Sequence, residues 1–132
     1  MINSVEEKIF QACADAFRAQ YPNGYITPEY VPRPPTFPAV SVVETDNSVY
    51  ERAADNGTIE NAATVVYTVD VYSNLNTGKK AQAKAIMALI DAEFAARRFV
   101  RNFCSPIQNF NEASIYRMTA RYSRKITDHE TM

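Results

Sequence analysis

The run Val65-Val66-Tyr67-Thr68-Val69-Asp70-Val71-Tyr72-Ser73-Asn74 constrains the fold more than any other part of the chain. It is crowded with β-branched and aromatic residues, which suit a pleated, half-buried surface. On a strand over 63–73, Val65, Tyr67, Val69 and Val71 share one face, while Thr64, Val66, Thr68, Asp70 and Tyr72 take the other. Directly after it, Asn74, Asn76, Thr77 and Gly78 supply a turn and a cap for an Ala-rich run. That run predicts a helix over 78–96, with Ala85, Ile86, Leu89, Ile90 and Phe94 as its buried stripe. A long strand leading straight into an amphipathic helix requires a layered fold, in which the helix covers one sheet face.

The rest of the chain fills out such a fold. Residues 4–20 read as a first helix, with Ser4 and Glu7 at capping-box spacing and Ile9, Phe10, Cys13, Ala16 and Phe17 as its apolar stripe. Six prolines between 22 and 38, interleaved with Tyr21, Tyr25, Ile26, Tyr30, Val31 and Phe37, exclude a helix or a central strand. The segment 21–38 is therefore expected to lie extended on the domain or on a neighbour. Residues 39–45 predict a strand ending in a turn at Asp46-Asn47-Ser48, and Asn56-Gly57 marks a second turn within a polar loop or hairpin arm. A third strand is expected over 97–104, with Phe99 and Phe103 on one side and Ser105-Pro106 as its break, followed by a loop over 108–112. A fourth covers 114–124, with Tyr116, Met118, Ala120 and Tyr122 on one face and Ile115, Arg117, Thr119 and Arg121 on the other. The polar tail, 127–132, is expected to fray. The expectation is one α+β domain over 1–132: an antiparallel four-stranded sheet with two helices packed on one face, in the order α-β-β-α-β-β.

Composition and chemistry narrow the function. A chain of 132 residues can bury roughly two thirds of its unfolded surface, enough for one core. No apolar run approaches the roughly 20 residues that span a bilayer, so no membrane partner is expected. The acidic start at Glu6 and Glu7 has no apolar signal core. Cys13 and Cys104 have no metal-ligand spacing and read as buried free thiols, with a disulfide left open. The sole histidine, His129, lies in the tail, so neither Cys104 nor any serine has an ordered base to activate it. Asp91 and Glu93 are two apart on a helix and cannot share a face. Thr77-Gly78-Lys79-Lys80 lacks the glycines and the order of a phosphate-binding loop. No catalytic residue, cofactor or metal is therefore expected. Arg97, Arg98, Arg101, Arg117, Arg121, Arg124 and Lys125 form a basic last third, but Tyr116 and Tyr122 fall on the opposite parity from Arg117 and Arg121. Such a face offers no aromatic platform for bases, and a pI near 5.8 argues against a dedicated nucleic-acid binder.

What remains is surface. Residues 1–66 carry four Lys/Arg against nine Asp/Glu, and residues 67–132 carry ten against six, giving −5 and +4. A split of this kind suits head-to-tail contact between copies; the alternative is that the charges intermix on one solvated surface. The polar sheet face holding Thr68, Asp70, Arg117, Thr119 and Arg121 suits protein contact, or else carries cross-strand ion pairs such as Asp70 with Arg117 or Arg121.

Several residues carry a family resemblance: Val69 through Asn74, Gly78-Lys79-Lys80, Ala83 through Ala88, Ile90-Asp91, Phe99 to Arg101, Pro106, Asn109, Ile115-Tyr116-Arg117-Met118 and Arg121-Tyr122. Together they resemble the small tail-completion (tail terminator) proteins of long-tailed phages and prophages, over roughly residues 39–126 with a similar helix ahead. The resemblance implies a non-enzymatic virion component in the host cytoplasm during assembly and at the neck of the finished particle. It implies a homo-oligomeric ring, commonly hexameric, that caps the tail tube and docks to the head connector, with DNA only as passing cargo. A related head–tail connector is the alternative, and a small enzyme with a site between subunits is a third. Arg117 and Arg121, with Asp70 beside them, are the expected basic side of the subunit contact. Glu44, Asp46, Glu51 and Asp55 are the expected acidic side.

Overall fold

The computed structural model describes residues 4–49, 62–107 and 114–127. Within them, the chain forms α1 (Ser4–Gln20), β1 (Tyr25–Thr27), β2 (Ala39–Val49), β3 (Ala62–Ser73), α2 (Lys79–Ala96), β4 (Val100–Ile107) and β5 (Tyr116–Thr127). The strands make one sheet in the order β1-β2-β3-β5-β4. β1 runs parallel to β2, and every other neighbour is antiparallel.

The expected four-stranded antiparallel sheet is therefore corrected to a five-stranded mixed one. The added strand comes from the proline-rich segment. Tyr25–Thr27 contains no proline and sits at the sheet edge, where only one side of its backbone must pair. It is anchored by Tyr25 N–H donating to the Pro38 carbonyl at 3.0 Å, beside the cis Phe37-Pro38 bond. The element order becomes α-β-β-β-α-β-β.

Four boundaries also move; β5, expected to end at 124, runs to Thr127 and takes in the first residue of the expected tail. β2 runs through Asp46-Asn47-Ser48, because a bulge between Glu44 and Asp46 absorbs Thr45 and lets pairing with β3 resume at Val66. β4 starts at Val100 because Arg97 caps α2 and Arg98 takes a left-handed turn at φ 66°. It continues through Pro106, which an outermost strand tolerates. The Asn56-Gly57 turn, the loop at 108–112, the tail from 128 with His129, and the Ser4 side chain lie outside the described residues.

The core lies between the helices and one sheet face. Ile9, Cys13, Ala14 and Phe17 of α1 join Ala83, Ile86, Met87, Ile90 and Phe94 of α2 over Val40, Val42, Val65, Tyr67, Val69, Val71, Met118, Ala120, Tyr122 and Ile126. Ala83 and Met87, rather than the exposed Ala85 and half-buried Leu89, complete the α2 stripe. Phe94 is the hub: its ring stacks on Tyr122 at 4.2 Å and meets Phe99 edge-on at 5.2 Å and Tyr67 at 5.6 Å. Gly78 caps α2 through its backbone at φ 85°, with no side-chain cap. Ser73 Oγ donates to Gln82 Oε1 at 2.5 Å and ties the end of β3 to the first turns of α2.

Candidate functional site

The other sheet face carries no helix among the described residues. Strand pairing sets its rows: Asp46–Val66–Ser123–Val100, then Val43–Thr68–Arg121–Phe103, then Ser41–Asp70–Thr119–Ser105, then Ala39–Tyr72–Arg117–Ile107. One end is covered by the chain itself. Ser41 Oγ donates to the Glu29 carbonyl at 3.0 Å, so the proline-rich segment crosses the sheet there. Beneath it Thr27, Ser41, Asp70, Tyr72 and Thr119 are buried.

Arg117 holds that end together. Its Nη2 lies 3.0 Å and its Nε 3.1 Å from Asp70 Oδ1, and its guanidinium sits over the rings of Tyr72 at 5.6 Å and Tyr30 at 6.0 Å. Burial pulls the Arg117 charge down; Asp70 and the two tyrosines more than offset it, so the guanidinium is held above its ordinary value. Burial first, then the nearby Asp70 carboxylate, pushes the Tyr72 hydroxyl up to about 12. Asp70 and Arg117 thus form a structural pair within one copy.

The outermost strand is different, open along its length: Val100 is 64% exposed, Phe103 40% and Ile107, in the row of Arg117, 38%. Phe103 does not share a side with Phe99. A bulge between Arg101 and Phe103 takes up Asn102 and turns Phe103 outward, where the Arg121 guanidinium lies over its ring at 5.3 Å. Phe99 instead packs into the core against Phe94 and Tyr67. Arg121 has no carboxylate partner among the described residues. Apolar and aromatic side chains flanked by arginine, with few acids, make up the composition that protein interfaces favour. Parity in the sequence places Arg121 on this face, whereas Val100, Phe103 and Ile107 do not follow from it. The run of three apolar residues in an eight-residue strand whose neighbours are polar was the available signal.

The expected acidic residues divide. Asp46 stands on the open face, and its carboxylate accepts from Ser48 Oγ at 2.8 Å. Glu44 points to the helix side, where Tyr67 Oη donates to it at 3.3 Å. Burial, then the neighbouring Glu6 carboxylate, raises its proton affinity, and no cation is among the groups acting on it. Glu51 and Asp55 lie outside the described residues.

Reactive chemistry has little to work with. Cys13 is buried in the core and its thiol is pushed up to about 12, chiefly by burial. Cys104 is half-buried, and its thiol too is raised by burial. A groove of about 280 Å³ between α2 and β4 is lined by Lys84, Met87, Asp91, Arg101, Cys104 and Met118. Asp91 is occupied there, accepting from Tyr122 Oη at 2.9 Å and from Arg101 at 3.2 Å. Among the described residues no cluster could hold a metal ion, and no helix is long and apolar enough to cross a membrane.

The small α+β domain thus has a self-braced sheet end and an exposed apolar outer strand with arginine beside it, a composition that protein contacts favour. Comparison with known families identifies the kind. The family model of "Tail completion protein gp17" matches residues 7–132, and the chain belongs to that family, a structural one of the phage tail and hence of the virion. A comparison with curated proteins gave no match.

Proposed function

We propose that the chain is a tail terminator: a non-enzymatic protein that closes into a ring, commonly of six copies, on the head-proximal end of the tail tube and docks to the head connector. The outer strand of the helix-free sheet face carries this reading, because Val100, Phe103 and Ile107 are costly to leave in water on an edge strand and arginine lies beside them. Family membership supports the tail as the place of action.

The contact is heterologous, a basic surface of one copy against an acidic surface of the next, since a repeated head-to-tail contact closes into a ring. Arg121 is the basic residue best placed for it. Arg117 serves by bracing the sheet. Asp46 and Glu44 supply the acidic side, with Glu51 and Asp55 following them in the chain.

The test is electron microscopy of particles assembled without this chain. A terminator's loss yields tails of uncontrolled length. Tails of normal length that fail to join heads refute the terminator reading and favour a connector. Sedimentation of the purified chain and of an Arg121→Glu variant, alone and with purified tail tubes, then tests the contact: the variant is expected to lose assembly.

A further inference from the structure

We infer that neighbouring copies join by continuing the sheet, with the outer edge of β4 in one copy pairing antiparallel against the free outer edge of β2 in the next. This inference rests on the ring proposed above and names its joint.

The topology leaves two unpaired edges among the described residues. β4 is outermost at one side. At the other, β1 covers only Ala39, Val40 and Ser41, so β2 is open from Val42 to Val49. Successive antiparallel pairings through β3 and β5 make β4 run opposite to β2. A copy placed beside another with its helices on the same side therefore meets it with antiparallel strands, the geometry that pairs most readily. Both open stretches are short, and β4 spans 8 residues.

The two edges also differ in the ways that would make them fit. Val100, Phe103 and Ile107 line the open face at β4, with Arg121 over the Phe103 ring, while Arg101 stands on the helix side of the same strand. The β2 edge carries Glu44 and Asp46, with Glu6 acting on Glu44 and no cation among the groups that act on Glu44. On the helix side one row reads Glu44–Tyr67–Tyr122–Arg101. Extended without stagger, it sets Arg101 beside the next copy's Glu44. Like edges carry like charge, so β4–β4 and β2–β2 pairing is disfavoured and the contact is head-to-tail. Pro106 lacks an N–H and the bulge at Asn102 interrupts β4, which confines ladder pairing to part of the strand and blunts the edge against arbitrary partners.

Disulfide trapping tests the joint. In a Cys104→Ser background, Val100→Cys and Phe103→Cys are each combined with Asp46→Cys and with Ser48→Cys, which all stand on the open face. The full chain is oxidised mildly, alone and with purified tail tubes, and run without reductant. At least one combination is expected to give a ladder ending at a closed ring, while each single variant stays monomeric. Dimers from Val100→Cys or Phe103→Cys alone would mean β4–β4 pairing and overturn the inference. Rings visible by native mass spectrometry or microscopy with no ladder in any combination overturn it too, and leave the ring reading standing. Absence of any assembly, free or on tail tubes, sinks both. A Val100→Cys, Gln11→Cys variant is the control, since Gln11 is exposed on α1 and belongs to neither edge strand.

Discussion

Removing both members of the Asp70–Arg117 pair is expected to cost less stability than the sum of removing each alone. The Asp70 side chain is 5% exposed and that of Arg117 23%, with 3.0 Å between charged atoms. At an effective dielectric of 20 the gross attraction is about 5.5 kcal/mol, and desolvation cancels much of it. Arg117→Met keeps the apolar stem but leaves the carboxylate buried without a counter-ion, at a cost of about 4 kcal/mol. Asp70→Asn leaves a guanidinium that still reaches water and still lies over Tyr30 and Tyr72, so about 2 kcal/mol is expected. The double variant should recover about 2 kcal/mol of the summed loss, measured as a coupling energy in urea denaturation. With a slope of about 2 kcal/mol per molar urea, Arg117→Met moves the midpoint by about 2 M. Losses that add within about 0.5 kcal/mol, or a cost of Arg117→Met below about 1 kcal/mol, would refute the bracing role and return Arg117 to the candidate contact residues.

Three further outcomes are expected. Phe94→Ala removes the ring that stacks on Tyr122 and contacts Phe99 and Tyr67, so about 4 kcal/mol should be lost in urea denaturation. Gly24→Ala sets a Cβ about 2.5 Å from Phe17 Cζ, a fully buried ring packed on Tyr21, and should cost about 2 kcal/mol in the same assay. Glu44 binds its proton more tightly folded than unfolded, because of burial and then Glu6, so its stabilising share is present at acid pH and lost as pH rises through the folded value. Glu44→Gln should therefore melt higher than wild type at pH 8 and equal to it near pH 4 in a thermal scan.

Where two residue faces alternate without interruption, the sequence was a sufficient guide. β3 and β5 hold strict period-2 patterns, so both faces followed from parity, and with them the pairing partners available to Asp70. β1 could not be read that way. Three residues among prolines carry no periodic signal, and their extended form is imposed by β2 alongside them. The limits of β4 were hidden for a local reason: the left-handed Arg98 ends the helix region without a glycine, and an edge position excuses Pro106. Glu44 and Asp46 are two apart in sequence, a spacing that keeps one face of a regular strand. The bulge at Thr45 separates them, one to each face.

The two bulges bear directly on the assembly proposal. Without Asn102 taken up in its bulge, alternation from Val100 would point Phe103 toward the helices, and the open face would lose the ring that lies under Arg121. Without Thr45 in its bulge, Asp46 would join Glu44 on the helix side. Each interruption sits on an open edge, and they fall in adjacent rows: Thr45 between the rows of Tyr67 and Val66, Asn102 between those of Tyr122 and Arg121. Each moves one residue, an aromatic at β4 and an acid at β2, onto the face that no helix covers. Extra residues in interior strands would break ladders on both sides, whereas at an edge they disturb only one. The edges are thus where the chain can redirect side chains without disrupting the core, and both redirected side chains belong to the contact inferred here.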